Sequence, residues 1–179
     1  MIRLRWGTGA ALSALMGAAF FTVAAQIVGL ALGPEPPSAG ELAPPFQGQT
    51  LAGETVSSDD LGQEVVLLDF WATWCPPCVA AMPHLQALHA RYESQGLRIL
   101  GVNQEPGQPA RVRRFLKTRG IEFPSLVDES GAIAARYGVH TFPTTYLVGR
   151  DGRVITSYRG VPQFGRLEQQ IQDALQTDP

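Results

Sequence analysis

Val65-Val66-Leu67-Leu68-Asp69-Phe70-Trp71-Ala72-Thr73-Trp74-Cys75-Pro76-Pro77-Cys78 changes its period halfway along. Up to Trp71 it is an apolar run broken by one carboxylate, the pattern of a strand buried on both faces of a sheet. Beyond Cys75 the residues Val79, Met82, Leu85, Leu88 and Tyr92 recur every three or four positions, the period of an amphipathic helix. Pro83 lies inside that helix and is expected to kink it, because its ring removes a backbone donor. A helix therefore starts at the two cysteines, just past a buried strand.

Working outward, Phe46–Thr50 and Glu54–Ser57 read as a short hairpin, and residues 58–62 as a turn or single helical turn. Downstream, Leu97–Val102 reads as a strand, Ala110–Thr118 as a helix and Phe123–Val127 as a short strand. A helix over Ser130–Tyr137 ends at Gly138. Thr144–Val148 and Val154–Tyr158 are strands joined through Asp151-Gly152, a hairpin signal, and Leu167–Leu175 closes the chain as a helix. Strands alternating with helices, then a hairpin and a last helix, predict an α/β layer with a mixed central sheet flanked by helices.

The chain has 179 residues, 45% of them apolar, and only two cysteines. A single C-x-x-C is either a redox pair or half of a metal site completed by other ligands. At a helix N-terminus Cys75 faces unpaired backbone N–H groups and the positive end of the helix dipole, which favour thiolate over thiol. Cys75 is thus the expected nucleophile, and Cys78, one turn further in, the resolving thiol. Pro76 and Pro77 stiffen the turn and remove two backbone donors. His84, His89 and His140 lack ligand-like spacing to the cysteines; the first two are expected to be surface or satisfied histidines, and no metal is expected.

Residues 1–7 contain Arg3 and Arg5, and the run Thr8–Leu32 is uncharged and long enough to cross a bilayer, which takes about 20 apolar residues. The two arginines predict a cytoplasmic N-terminus over residues 1–7, a transmembrane anchor over 8–33, and everything later on the other side. The competing reading is a cleaved leader, whose apolar region is normally shorter. Either way the remaining domain lies where disulfides persist. Residues 34–45 hold five prolines in twelve positions and are expected to form a semi-rigid spacer of at most about 37 Å. A net charge of −2 argues against a nucleic-acid partner.

Leu68–Cys78 resembles the active-site run of thioredoxins, and Thr141-Phe142-Pro143-Thr144-Thr145 resembles that superfamily's cis-proline loop. The fuller similarity is to the membrane-anchored TlpA/ResA-type branch, related to the cytochrome c maturation thioredoxins. It includes Pro44-Pro45-Phe46, Ala81-Met82-Pro83, Gly101-Val102-Asn103, Gly138 and Asp151-Gly152, and spans roughly residues 42–176. The resemblance implies a thioredoxin fold over residues 46–179 with an N-terminal hairpin. It implies a cis Pro143 against the cysteine pair and a Phe142 whose backbone meets a bound substrate. Trp74, Pro76 and Pro77 then border the substrate, with Trp74 capping the thiolate, while Trp71 is either a second flank or ordinary packing.

Asp69 matches the buried acid of thioredoxins, whereas the anchored branch often has Asn or another residue there. A buried carboxylate with a raised pKa suits a base that takes the proton of Cys78. Relatives can also place a glutamate after the strand corresponding to Leu97–Val102. Glu105 fits that spacing poorly and is expected to be a solvated loop acid, a second-tier candidate only. Ala81 stands where relatives often carry an acid, and a changed surface contact is expected from it. His140, three residues before Pro143, is a weaker groove candidate.

The resemblance implies a thiol–disulfide oxidoreductase that reduces disulfides in extracytoplasmic proteins, apocytochrome c or oxidase copper-site cysteines among them. The redox group is the Cys75–Cys78 disulfide and no other cofactor is implied. Its electron donor would be a membrane thiol carrier of the DsbD or CcdA kind, with the protein itself in the bacterial cytoplasmic membrane and its domain on the periplasmic side. An oxidant or isomerase of the same fold, or a copper-binding chaperone, are the alternatives; direction is set by reduction potential, and no Met- or His-rich stretch accompanies the pair.

Overall fold

A computed structural model of the chain describes residues 35–177. The segments 1–7 and 8–33 lie outside the described residues, and among those described no helix is long and apolar enough to cross a membrane.

Strands β1 (Gln47–Gln49) and β2 (Thr55–Ser57) form the expected hairpin, followed by a 3-10 turn at Ser58–Leu61. Ser57 and Asp60 close that turn as a reciprocal capping box. Then come β3 (Val65–Trp71), α1 (Pro76–Tyr92), β4 (Leu97–Asn103), α2 (Pro109–Thr118), β5 (Ser125–Val127) and α3 (Ala132–Arg136). β6 (Thr144–Val148), β7 (Val154–Arg159) and α4 (Phe164–Gln176) complete the order. The second sheet runs β5-β4-β3-β6-β7, with β3, β4 and β5 parallel and β6 and β7 antiparallel to their neighbours. This is the predicted mixed sheet with β3 at its centre, buried along its whole length.

Side-chain alternation along β3 divides the core in two. Val65, Leu67 and Trp71 face a cluster with Cys78, Met82 and Leu85 of α1, Val112 and Leu116 of α2, and Leu167 and Ile171 of α4. Val66, Leu68 and Phe70 face Phe46, Ile133, Tyr137, Tyr146 and Val154. Asp69 shares the parity of Leu67 and Trp71, so it points to the side covered by the helix that carries Cys78.

α1 runs unbroken through Pro83, the buried row Cys78, Ala81, Met82 and Leu85 holding it to the sheet. Two local expectations are corrected. α3 is shorter than Ser130–Tyr137 because Gly131 is left-handed (φ 70°) and ends the turn before it. The Asp128 carboxylate then accepts the N–H groups of Ile133 and Ala134.

The proline-rich segment is not a free spacer. Gly40 N–H donates to Val154 O, Val154 N–H to Glu41 O and Ala43 N–H to Gly152 O, so the segment pairs with the start of β7. The Tyr137 hydroxyl donates to Pro44 O at 2.9 Å and Arg136 to Pro45 O at 2.8 Å. Pro36 sits so close to Gly138 that a Cβ there would lie 2.9 Å from it. Prolines donate nothing, but their carbonyls accept, and the interspersed Gly40, Glu41 and Ala43 supply backbone pairing.

Candidate active site

The sheet delivers its central strand to the head of α1. Trp71, the last residue of β3, is fully buried. Its indole N–H donates to Ser125 Oγ at 3.1 Å and its ring lies 6.0 Å from that of Phe115. It packs over Gly101 of β4, where a Cβ would come within 2.8 Å of the indole nitrogen. Trp71 is therefore packing and not a flank of the site.

Cys75 is the N-cap of α1, in extended conformation, and Pro76 and Pro77 fill the first two helical positions. Of the N–H groups that normally crowd a helix start, two are absent; the Cys78 N–H points at Cys75 Sγ at 3.3 Å, and that of Val79 goes to Cys75 O. Cys75 and Cys78 form a disulfide with Cα atoms 5.3 Å apart. Cys78 has no exposed surface while Cys75 retains 4%, so an incoming sulfur meets Cys75 first.

Asp69 shares the face of β3 that carries Leu67 and Trp71, the face packed against the helix of Cys78. Its Oδ1 accepts from Thr145 Oγ1 at 3.2 Å, and its Oδ2 is buried without a hydrogen-bond partner. Burial pushes its carboxyl up to about 7, the Thr145 hydrogen bond only partly opposing the shift. Thr145 stands opposite Asp69 in the β3–β6 register; sequence reasoning did not assign it, and its one signal was its place two residues after Pro143.

The Phe142–Pro143 peptide bond is cis. Gly160 N–H donates to Pro143 O and Thr144 Oγ1 to Thr141 O, which hold the loop at the mouth of β6. Phe142 packs against the cluster that contains both cysteines, and the Trp74 ring meets it edge-on at 5.8 Å. Among the described residues the Phe142 backbone N–H and C=O have no hydrogen-bond partner. Trp74 is 59% exposed, so it stands beside the cysteines as an open apolar wall. Pro76 and Pro77 are exposed too.

Glu105 overturns the expectation of a solvated loop acid. It is buried, with Oε1 accepting from Thr73 Oγ1 at 2.8 Å, and Oε2 accepting from the Thr73 N–H and from Asn103 Nδ2. Its own N–H donates to Asn103 Oδ1. Thr73 is two residues before Cys75, so this carboxylate anchors the loop that presents Cys75. Thr73 and the buried Asn103 lie in the matched runs Leu68–Cys78 and Gly101-Val102-Asn103, but sequence reasoning assigned neither a role.

Ala81 is buried on the inner row of α1, which removes the expected surface contact. His84 is exposed and stacks on Phe164 at 4.4 Å. His89 is buried against Phe123, with its Nε2 3.6 Å from Glu93 and its Nδ1 unpartnered. His140 is exposed. Among the described residues no group of three or more His, Cys, Asp or Glu side chains has a metal-binding arrangement.

This arrangement meets known proteins at several levels. Residues 39–157 match the AhpC/TSA family. The thiol–disulfide oxidoreductase ResA of Halalkalibacterium halodurans is 33% identical over 138 residues, covering 77% of this chain and 76% of that protein. The thioredoxin-like protein YneN of Bacillus subtilis is 37% identical over 134 residues, 74% of this chain and 78% of that one. A crystal structure from Chlorobium tepidum, assigned as a DsbE thiol:disulfide interchange protein, superposes with a TM-score of 0.72 at 33% identity, over 78% of this chain and 99% of that one.

Proposed function

Because the chain belongs to the thioredoxin-like AhpC/TSA family and is a thiol–disulfide oxidoreductase of the ResA/DsbE type, we propose that it reduces disulfides in extracytoplasmic proteins while anchored by residues 8–33. The observation that carries the direction is the sparsely donated N-cap of α1. With Pro76 and Pro77 in place, one backbone N–H addresses Cys75 Sγ. A pair becomes a strong oxidant when its reduced form is stabilised; here that stabilisation is thin, which favours the disulfide and makes the dithiol a donor.

The Cys75 thiolate attacks one sulfur of a substrate disulfide, forming a mixed disulfide and expelling the other substrate sulfur as thiolate. Cys78 gives its proton to Asp69, whose carboxyl near 7 is matched to this task. The Cys78 thiolate then attacks Cys75 Sγ, the Cys75–Cys78 bond forms, and the second substrate sulfur leaves. The substrate gains two electrons and the pair loses two. A membrane dithiol carrier of the DsbD or CcdA kind restores them by the same exchange in reverse, and the pair is the only redox group the cycle needs. Trp74, Pro76, Pro77 and the unpaired backbone of Phe142 border an extended substrate segment beside cis Pro143.

The arginines at 3 and 5 orient the anchor and leave the domain on the periplasmic side of the bacterial cytoplasmic membrane. Cytochrome c and oxidase copper-site maturation supply substrates of the required kind, namely protein disulfides that must be opened before a cofactor is attached. In residues 34–179 with Cys78→Ala, Cys75 is expected to retain its substrate as a mixed disulfide that mass spectrometry identifies. Equal trapping by Cys75→Ala would overturn the nucleophile assignment. Equilibration with glutathione is expected to give a potential near that of thioredoxin, about −270 mV, and a value above about −150 mV would sink the reductase reading.

A further inference from the structure

Five of the 12 basic residues between positions 34 and 179 fall within nine positions, Arg111, Arg113, Arg114, Lys117 and Arg119, with no acid among them. All five are exposed, and among the described residues none is ion-paired. Arg113 donates to Leu51 O at 2.8 Å, Arg111 to Gln108, and the Arg119 guanidinium lies 3.6 Å from the Phe115 ring centre. Since α2 turns Val112 and Leu116 inward, its outward side is a cationic ridge. Arg111, Arg114 and Lys117 follow one another at about 4.5 Å along the axis.

The rest of residues 34–179 keeps 7 basic and 16 acidic residues, a net −9 beside this +5. Like charges three or four positions apart weaken a helix slightly, so the fold does not require the ridge. α2 touches the strand that leads to the redox pair: the Phe115 ring lies 6.0 Å from that of Trp71, four residues before Cys75. α2 and α1 also cover the same side of the sheet.

We infer that the outward face of α2 docks an acidic segment of the protein that exchanges disulfides with Cys75. The inference rests on the reading above that the substrate is a protein. Four of the five cations are guanidinium groups, whose planar forks match carboxylates. A short acidic segment seated along the ridge meets its cations within a Debye length, about 8 Å. An extended anionic surface such as a bilayer or a nucleic acid meets the net −9 as well, which favours the peptide.

The test uses the reduced full chain in a non-ionic detergent and two synthetic disulfide peptides. They are identical around the disulfide and end in four Glu or in four Gln residues. At low salt the Glu-tailed peptide is expected to show about tenfold higher kcat/KM, falling to within about twofold at 0.5 M salt. Arg111→Glu/Arg114→Glu/Lys117→Glu should remove or invert the preference while the rate with uncharged hydroxyethyl disulfide stays unchanged; Gln at the same three positions should give an intermediate preference. Equal rates for the two peptides overturn the docking face and leave the redox reading intact. Failure to reduce hydroxyethyl disulfide at all counts against the redox reading instead. Equal peptide rates together with protection of α2 from trypsin by phosphatidylglycerol vesicles would assign the ridge to lipid and overturn the proposal.

Discussion

An ionised Asp69 receives one hydrogen bond, from Thr145, and keeps a bare oxygen in the core, so its charge is carried at a cost. An unfolded Asp titrates near 3.9 and the folded one near 7. Between these values the native state holds a proton that the unfolded state has lost. Stability therefore falls as pH rises through that window, by about 1.4 kcal/mol per unit, and stays low above it. Asp69→Asn should abolish this slope. Urea unfolding at pH 5 and pH 8 is expected to show a loss of about 3 kcal/mol for the native chain and little for the variant. Single-turnover release of the mixed disulfide should slow in the variant and lose its rise near pH 7; parallel stability profiles for the two proteins would contradict the assignment. Glu105 makes a contrast at the same scale, since its carboxylate is buried among three donors that leave it well satisfied.

At the scale of elements the head of α1 is the tuning device. A proline at the second helical position withholds an N–H that an N-cap side chain ordinarily accepts. Pro77→Ala restores it, and one more donor to a thiolate is worth about half to one pKa unit. The alkylation pH profile of Cys75 should shift down by that amount, and the potential should rise by up to about 30 mV. An unmoved profile with a lower unfolding midpoint would mean that the proline only stiffens the turn. The neighbouring elements are set by packing: Gly101 in β4 leaves room for Trp71, and the Ser125 hydroxyl fixes the indole.

Across the whole molecule the sheet separates a redox face, covered by α1, α2 and α4, from a second face that residues 36–45 help to close. Ala43 packs against that second cluster, and Tyr137 binds the Pro44 carbonyl while accepting at its own carbonyl from the Tyr146 hydroxyl. Residues 36–45 thus count as part of the domain. A chain that begins at residue 46 is expected to be about 2–4 kcal/mol less stable than one that begins at residue 34, through loss of several hydrogen bonds and apolar cover. Urea midpoints of the two forms measure this, and identical midpoints would return the segment to the role of a spacer.

Much of this was written in short-range pattern. The change of period at Cys75 announced a buried strand running into a helix, and it placed Cys75 at that helix's N-terminus, because strand and helix periods and capping depend on neighbours only a few residues apart. The Asp-Gly hairpin and the alternation of elements led to the mixed sheet for the same reason. Glu105 was misjudged, and Thr145, Thr73 and the strap over the second face were not seen. Their roles depend on partners 32 to more than 90 positions away. Periodicity assigns a residue to a face, whereas register and loop closure decide what stands opposite. Asp69 is the clearest case: the sequence alone put a carboxylate in a buried strand, and only the pairing of β3 with β6 gave one of its oxygens a partner in Thr145 and left the other bare.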